Sequence, residues 1–260
     1  MSEHLLTVEK VLRVAQLLAR DGALSLAEIT ERLGMNKTVA HRVLNTLRRD
    51  GWVTQESDTK KYRLGLRIWE VGMGALLHYP VYAVALPHIE RLAREQQENT
   101  GLAVLDSNEM LFIARVGVVD GTPISVPIAG RALPHTTSGG KVALAFLPDL
   151  AETILRAQSL PAVTPLTVSS VEELRREIAE VRERGFALNR GGRDARSSGV
   201  AAPVFDFSGQ FVASIYATCA TEYFTDERIA RLAPAVVECA SQVSIALGHR
   251  SSWGGVATYV

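Results

Sequence analysis

The sequence predicts an α+β protein in two parts, and three observations carry that reading. Up to about residue 98, apolar side chains recur mostly at the i, i+3, i+4 and i+7 spacings of helices, interrupted by one pair of short β-like runs. Beyond that point, stretches such as GLAVLD, MLFIARVG, ISVPIA, GVAAPVFD and FVASIYATC are rich in strand-forming residues. Charged helical segments separate and follow these runs, which predicts helices enclosing a mainly antiparallel sheet.

The elements follow in chain order. Residues 7–20 read as an amphipathic helix with Val8, Val11, Leu12, Ala15, Leu18 and Ala19 on its inner face, ended by Asp21-Gly22. Ser25, with Glu28 three residues on, gives a capping box for LAEITERL, and Gly34 closes that helix. Asn36 can cap a third helix, KTVAHRVLNTLRR, which Gly51 stops. WVTQ and KYRL, joined by the polar ESDTK turn, then read as a β-hairpin. Three helices followed by a hairpin is the order of a winged helix-turn-helix. Residues 65–78 are helical again and suit a linker, which Pro80 interrupts. Residues 81–98 form a further helix with Val84, Leu86, Ile89, Leu92 and Ala93 turned inward.

In the second part GLAVLD, MLFIARVG and ISVPIA are the first three expected strands. Ser138-Gly-Gly opens a short helix, KVALAFL. Ser169 or Ser170 caps a long one whose buried stripe is Leu174, Ile178 and Val181. FALNR, GVAAPVFD and FVASIYATC are three more strands, and Thr225 caps a final helix that Pro234 should kink or break. The expected divisions are a winged helix-turn-helix at 1–65, a linker helix at 66–79, a second domain at 80–250 and a loose tail at 251–260.

Composition narrows the functional classes. At 260 residues, 47% hydrophobic and 22% charged, the chain suits one large or two modest globular domains. Apolar runs such as residues 142–147 fall short of the roughly 18 residues of a membrane span. MSEHLLTVEK has acidic residues and no secretory apolar region, so a cytoplasmic protein without membrane contact is expected. Two cysteines cannot build a disulfide framework. The six histidines are scattered without metal-ligand spacing, and no nucleophile elbow accompanies Ser138, His135 or Cys219. The expectation is therefore a protein with no cofactor, no metal and no catalytic residues. The competing class is a small-molecule sensor or enzyme whose N-terminal helices serve only for dimerisation.

Net charge is zero, but its distribution is uneven. Residues 32–67 hold nine Lys/Arg against three Asp/Glu, whereas residues 79–260 hold sixteen against nineteen. On the third helix Val39, Ala40, Val43, Leu44 and Leu47 form the apolar stripe. Thr38, His41, Arg42, Asn45, Arg48 and Arg49 form the other, with no acidic residue before Asp50. Arg matches guanine, Asn matches adenine, and Thr matches a thymine methyl or a phosphate. Helix N-termini also attract phosphate. Lys37, Thr38, His41, Arg42 and Asn45, with Lys60, Lys61 and Arg63 of the hairpin, are the candidate contacts to double-stranded DNA.

These residues carry a resemblance. "GMNKTVAHRVLNTLRRDGWV" followed by "KYRLGLRIWEVG" resembles the N-terminal domain of the IclR family of bacterial transcriptional regulators, with Asn36 where the family usually has Pro. "LPHTTSGGKVALAFLP", "GFALNR" and "GVAAPVFDFSGQFVASI" follow in family order, so the resemblance spans nearly the whole chain. It implies a GAF-like effector-binding second domain, and homodimers or dimers of dimers on a palindromic operator. Effector binding is expected to act through the linker helix to regulate, and in this reading repress, nearby catabolic genes.

The effector site is read from both sources. "GRALPHTTSGGKVA" brings Arg131, His135, Thr137 and Ser138 to a helix N-terminus, where free N–H groups can hold a carboxylate. It is not a phosphate loop, since G-x-x-x-x-G-K-[ST] would need Gly at position 135 and Ser or Thr at position 142. The resemblance places effector contacts at Asn189, Gly199, Tyr216 and Thr218, where relatives carry Asp, Cys and Ser residues. Carboxylates are thus missing, Gly191-Gly192 stands where relatives often have a Glu pair, and Arg190, Arg193 and Arg196 lie nearby in sequence. The expected effector is a small organic or aromatic acid.

Overall fold

The computed structural model describes residues 5–117 and 125–250. The chain divides into two compact units, Met1–His78 and Tyr79–Val260. The first holds α1 (Leu6–Asp21), α2 (Leu26–Leu33), α3 (Lys37–Arg49), β1 (Val53–Gln55), β2 (Tyr62–Leu64) and α4 (Leu66–Leu77).

Its helix ends follow from local chemistry. Ser25 and Glu28 make the reciprocal capping box of α2, which ends with Gly34 in the left-handed region at φ 61°. The Asn36 side chain accepts from the Thr38 backbone N–H at 2.9 Å and opens α3. Ala40, Val43, Leu44 and Leu47 of α3 are buried with Val14, Leu17 and Leu18 of α1, Ile29 of α2, and Val53 and Tyr62 of the hairpin. The strands pair antiparallel with Gln55 opposite Tyr62.

The inner face of α1 is not the expected one. Val11, Val14, Leu17 and Leu18 meet the core, whereas Val8 and Leu12 are exposed and Ala19 faces solvent. The helix carries two overlapping apolar stripes, and the one reaching α2 and α3 is buried.

The second unit is built on one sheet. It contains α5 (Pro80–Gln96), β3 (Asn99–Asp106), β4 (Glu109–Val116), β5 (Arg131–Ala132), α6 (Ser138–Phe146), α7 (Pro148–Leu155), α8 (Val171–Arg184), β6 (Ala187–Asp194), β7 (Ser197–Phe205), β8 (Phe211–Ala220) and α9 (Asp226–Ala246). The strand order is β5-β4-β3-β8-β7-β6, with every pairing antiparallel. One face packs on α5 and α9 through Ile89, Leu92, Leu232, Val236 and Val243. The other packs on α6, α7 and α8 through Val142, Leu144, Leu150, Leu174 and Ile178.

Several expectations change. ISVPIA is not a strand: its described part, residues 125–129, is a bend and turn, and Ile124 lies outside the described residues. Pro127 lacks a ladder N–H, and Ala129 sits at φ 62°. β3 is buried on both faces from Asn99 to Val104, as a central strand covered on both sides is. Val84 and Leu86 of α5 are only half-buried, and Val81 and Ala85 hold the central positions instead. α9 continues through Pro234 without a break. By length and composition α9 could cross a membrane, yet it buries Leu232, Val236 and Val243 against the sheet as a core helix does. The tail at 251–260 lies outside the described residues.

Candidate nucleic-acid interface and effector cavity

Burial of the apolar stripe of α3 fixes which side chains face outward. Lys37, Thr38, His41 and Arg42 are exposed and Asn45 is half-buried. The Asn45 amide lies 3.2 Å from His41 Nδ1, one turn away. In the hairpin, Lys60 and Arg63 are exposed and Lys61 is half-buried, with Arg63 Nε donating to Thr54 Oγ1 at 3.3 Å. Among the described residues, Lys37, Arg42, Lys60 and Arg63 have no acidic partner, whereas Lys61 lies near the Glu28 carboxylate and Arg49 is paired with Asp50. Unpaired cations on one helix and the adjacent hairpin form the electrostatic footprint of a phosphate backbone.

The second unit has a cavity between the N-terminus of α6 and the sheet. β3 contributes Asn99, β4 contributes Phe112 and Arg115, and β6 contributes Asn189. Ser197, Ser198 and Gly199 come from β7, Tyr216 and Thr218 from β8. Thr137, Ser138 and Gly139 close it at α6, with Ser125 and Val126 beside them. Thr137 caps α6 by accepting from Gly140 N–H at 3.0 Å, and the Ser138 and Gly139 N–H groups keep no intrahelical partner. Ser214 Oγ donates to Gly139 O at 2.8 Å and ties that end of the helix to β8.

Tyr216 forms part of the wall. Its ring meets Phe112 edge-on with centroids 5.3 Å apart, and its hydroxyl makes only a long 3.4 Å bond to Ala114 O. Gly101 makes room for it, since a Cβ there would stand 2.3 Å from the Tyr216 hydroxyl. Burial pushes that phenol above its ordinary range, so it stays a neutral donor. The side chains of Asn99, Arg115, Ser138, Asn189 and Ser197 have no hydrogen-bond partner among the described residues, yet all line the cavity. Among the described residues that line the cavity none is acidic, and Arg115 is the only charged one.

The expected effector residues separate into two groups. Thr137, Ser138, Asn189, Gly199, Tyr216 and Thr218 line the cavity. Arg131 and His135 do not: Arg131 pairs with the Asp106 carboxylate, and buried His135 donates from Nε2 to Pro161 O at 2.9 Å. Burial lowers the His135 pKa from 6.5, which keeps its ring neutral. The arginines beside Gly191-Gly192 do not line the cavity either. Arg190 pairs with Asp226 at 2.9 Å and lies over the Phe224 ring, and Arg196 pairs with Asp194 at 2.9 Å. Arg115 was missed because its strand gives no sign of facing a cavity; its place as a cation at the end of MLFIAR was the only sequence signal.

A basic helix with a hairpin wing, joined in one chain to a domain whose cavity combines apolar walls with polar side chains, defines a ligand-responsive DNA-binding regulator. The chain belongs to the IclR family of bacterial transcriptional regulators: residues 73–245 match the family's C-terminal domain and residues 7–57 its helix-turn-helix domain. It is 30% identical over 251 residues to the glycerol operon regulatory protein of Streptomyces coelicolor, covering 95% of this chain and 98% of that one. It is 27% identical over 248 residues to the transcriptional regulator BhcR of Paracoccus denitrificans, covering 95% and 89% respectively. Among solved structures, an IclR homologue from Microbacterium hydrocarbonoxydans complexed with 4-hydroxybenzoate superposes with a TM-score of 0.82 at 30% identity, covering 93% of this chain and 98% of that one.

Proposed function

We propose that residues 1–65 bind a palindromic operator, that residues 66–79 link them to the sensor at 80–250, and that a small organic or aromatic acid is the effector. α3 enters the major groove, with Arg42 and Asn45 at base edges and Lys37, Thr38 and His41 at its N-terminal half. Lys60, Lys61 and Arg63 meet the flanking phosphates. The observation that supports this docking best is the row of unpaired cations on α3 and the hairpin.

The acid is supported by the cavity. Arg115 supplies a cation without a partner among the described residues, and the Ser138 and Gly139 N–H groups add the positive end of α6. The Tyr216 and Phe112 rings, set edge to face, give a ligand ring apolar surface to pack on. The 4-hydroxybenzoate complex of the Microbacterium homologue agrees with this reading.

The chain acts as a homodimer or a dimer of dimers, in the cytoplasm and as a repressor of nearby catabolic genes. Leu5 with Leu6, Val8 and Leu12 of α1, and Leu66, Trp69, Val71 and Leu77 on α4, expose apolar surface that a second copy would cover. The cavity reading is tested by thermal-shift measurements with small carboxylates, benzoates, neutral sugars and amines. Stabilisation by carboxylates is the expected result; stabilisation by sugars or amines alone contradicts it.

A further inference from the structure

One side chain joins the hairpin to α3. Gln55, half-buried at the end of β1, uses both ends of its amide. Its Oε1 accepts from Arg48 Nη1 of α3 at 2.8 Å, and its Nε2 donates to Lys60 O at the tip of the hairpin, at 2.9 Å. Among the described residues, no other side-chain hydrogen bond connects α3 to the hairpin.

The turn is shaped to offer that carbonyl. Lys60 adopts φ 55°, and its N–H donates to Glu56 O at 3.1 Å. Glu56 N–H donates to Lys61 O at 2.9 Å, while Thr59 Oγ1 donates to the Glu56 carboxylate at 2.6 Å and accepts from Lys61 N–H at 3.2 Å. These bonds fix the turn internally, and none of them ties it to α3. The base of the ribbon is anchored by Val53 and Tyr62 in the core and by the paired backbone bonds of Tyr62 with Leu24, none of which reaches the tip at residues 56–60.

We infer that Gln55 is a positioning residue that sets the Lys60 backbone against α3, so that helix and wing meet one DNA backbone as a single preformed surface. The inference rests on the DNA-binding reading above. Ordering the turn before binding removes an entropic cost that a loose wing would incur on the DNA. Arg48 spends one N–H on Gln55 and keeps others for a phosphate.

The test is fluorescence anisotropy of the full chain on a mixed-sequence duplex across a salt series. The slope of log affinity against log salt reports phosphate contacts whatever the sequence. Gln55→Met keeps the side-chain length and removes both hydrogen bonds. Lys60→Asn removes the charge and tolerates the left-handed backbone better than Ala would. Each variant should make the slope shallower by about one per bound protomer, and the double variant should be no shallower than either single one. Mere loss of folded protein would lower the active fraction and leave the slope unchanged. A wild-type slope in Gln55→Met, or a double variant shallower by about two, would overturn the inference. Absence of salt-dependent binding by the wild-type chain would instead remove the DNA-binding reading beneath it.

Discussion

Arg42 and Arg115 are both cations without a carboxylate partner among the described residues, one on an exposed helix face and one lining a cavity. Arg42→Ala should weaken operator binding by about 1–3 kcal/mol and relax the preference at one base position, measured by gel shift, with effector binding unchanged. Arg115→Met should weaken binding of a carboxylate roughly ten- to a hundred-fold by calorimetry, since a charge-assisted hydrogen bond is lost. His135 predicts a pH effect. Its folded pKa is lowered by burial from 6.5, so the unfolded chain takes up its proton first as pH falls. Stability is full above about 6.5 and declines below it; in His135→Gln, thermal melts should show a flatter decline over the same range. The DNA face was readable in the sequence because a helix places i, i+3 and i+4 side chains together by local geometry. The cavity was readable only in part. Arg115 and Asn189 come from β4 and β6, strands kept apart by β3, β8 and β7, and no local pattern announces that meeting.

At the scale of elements, caps were the most legible feature, since one polar side chain and a turn decide them. Ser25, Asn36, Ser170 and Thr225 each accept a backbone N–H of the helix they open. Asn36→Ala should cost about 1 kcal/mol of stability, measured by denaturant unfolding, because an orphan N–H at the start of α3 loses its acceptor. Elements defined by tertiary context were harder to read. ISVPIA has strand composition, but Pro127 and the positive φ of Ala129 make its described part a turn that meets β4 through the Ala129 N–H, which donates to Phe112 O at 2.8 Å. β5 is two residues long and exists only because β4 pairs with it. On α1, two apolar stripes compete, and only the packing of α2 and α3 selects between them.

At the scale of the molecule, the change from helical to β texture near residue 98 follows the start of the second compact unit at Tyr79 by one helix, α5. The two units differ in chemistry: a small core carrying an exposed basic face, and a sheet holding a cavity whose described lining has one cation and no carboxylate. We propose that α3 reads DNA on behalf of a dimer. Selection of bound sequences from a pool of random duplexes by the full-length chain tests it most directly. The expected result is enrichment of a two-fold-symmetric motif whose preference at one position in each half-site is lost in Arg42→Ala. Bound sequences indistinguishable from the starting pool, or a motif that Arg42→Ala leaves unchanged, would contradict it.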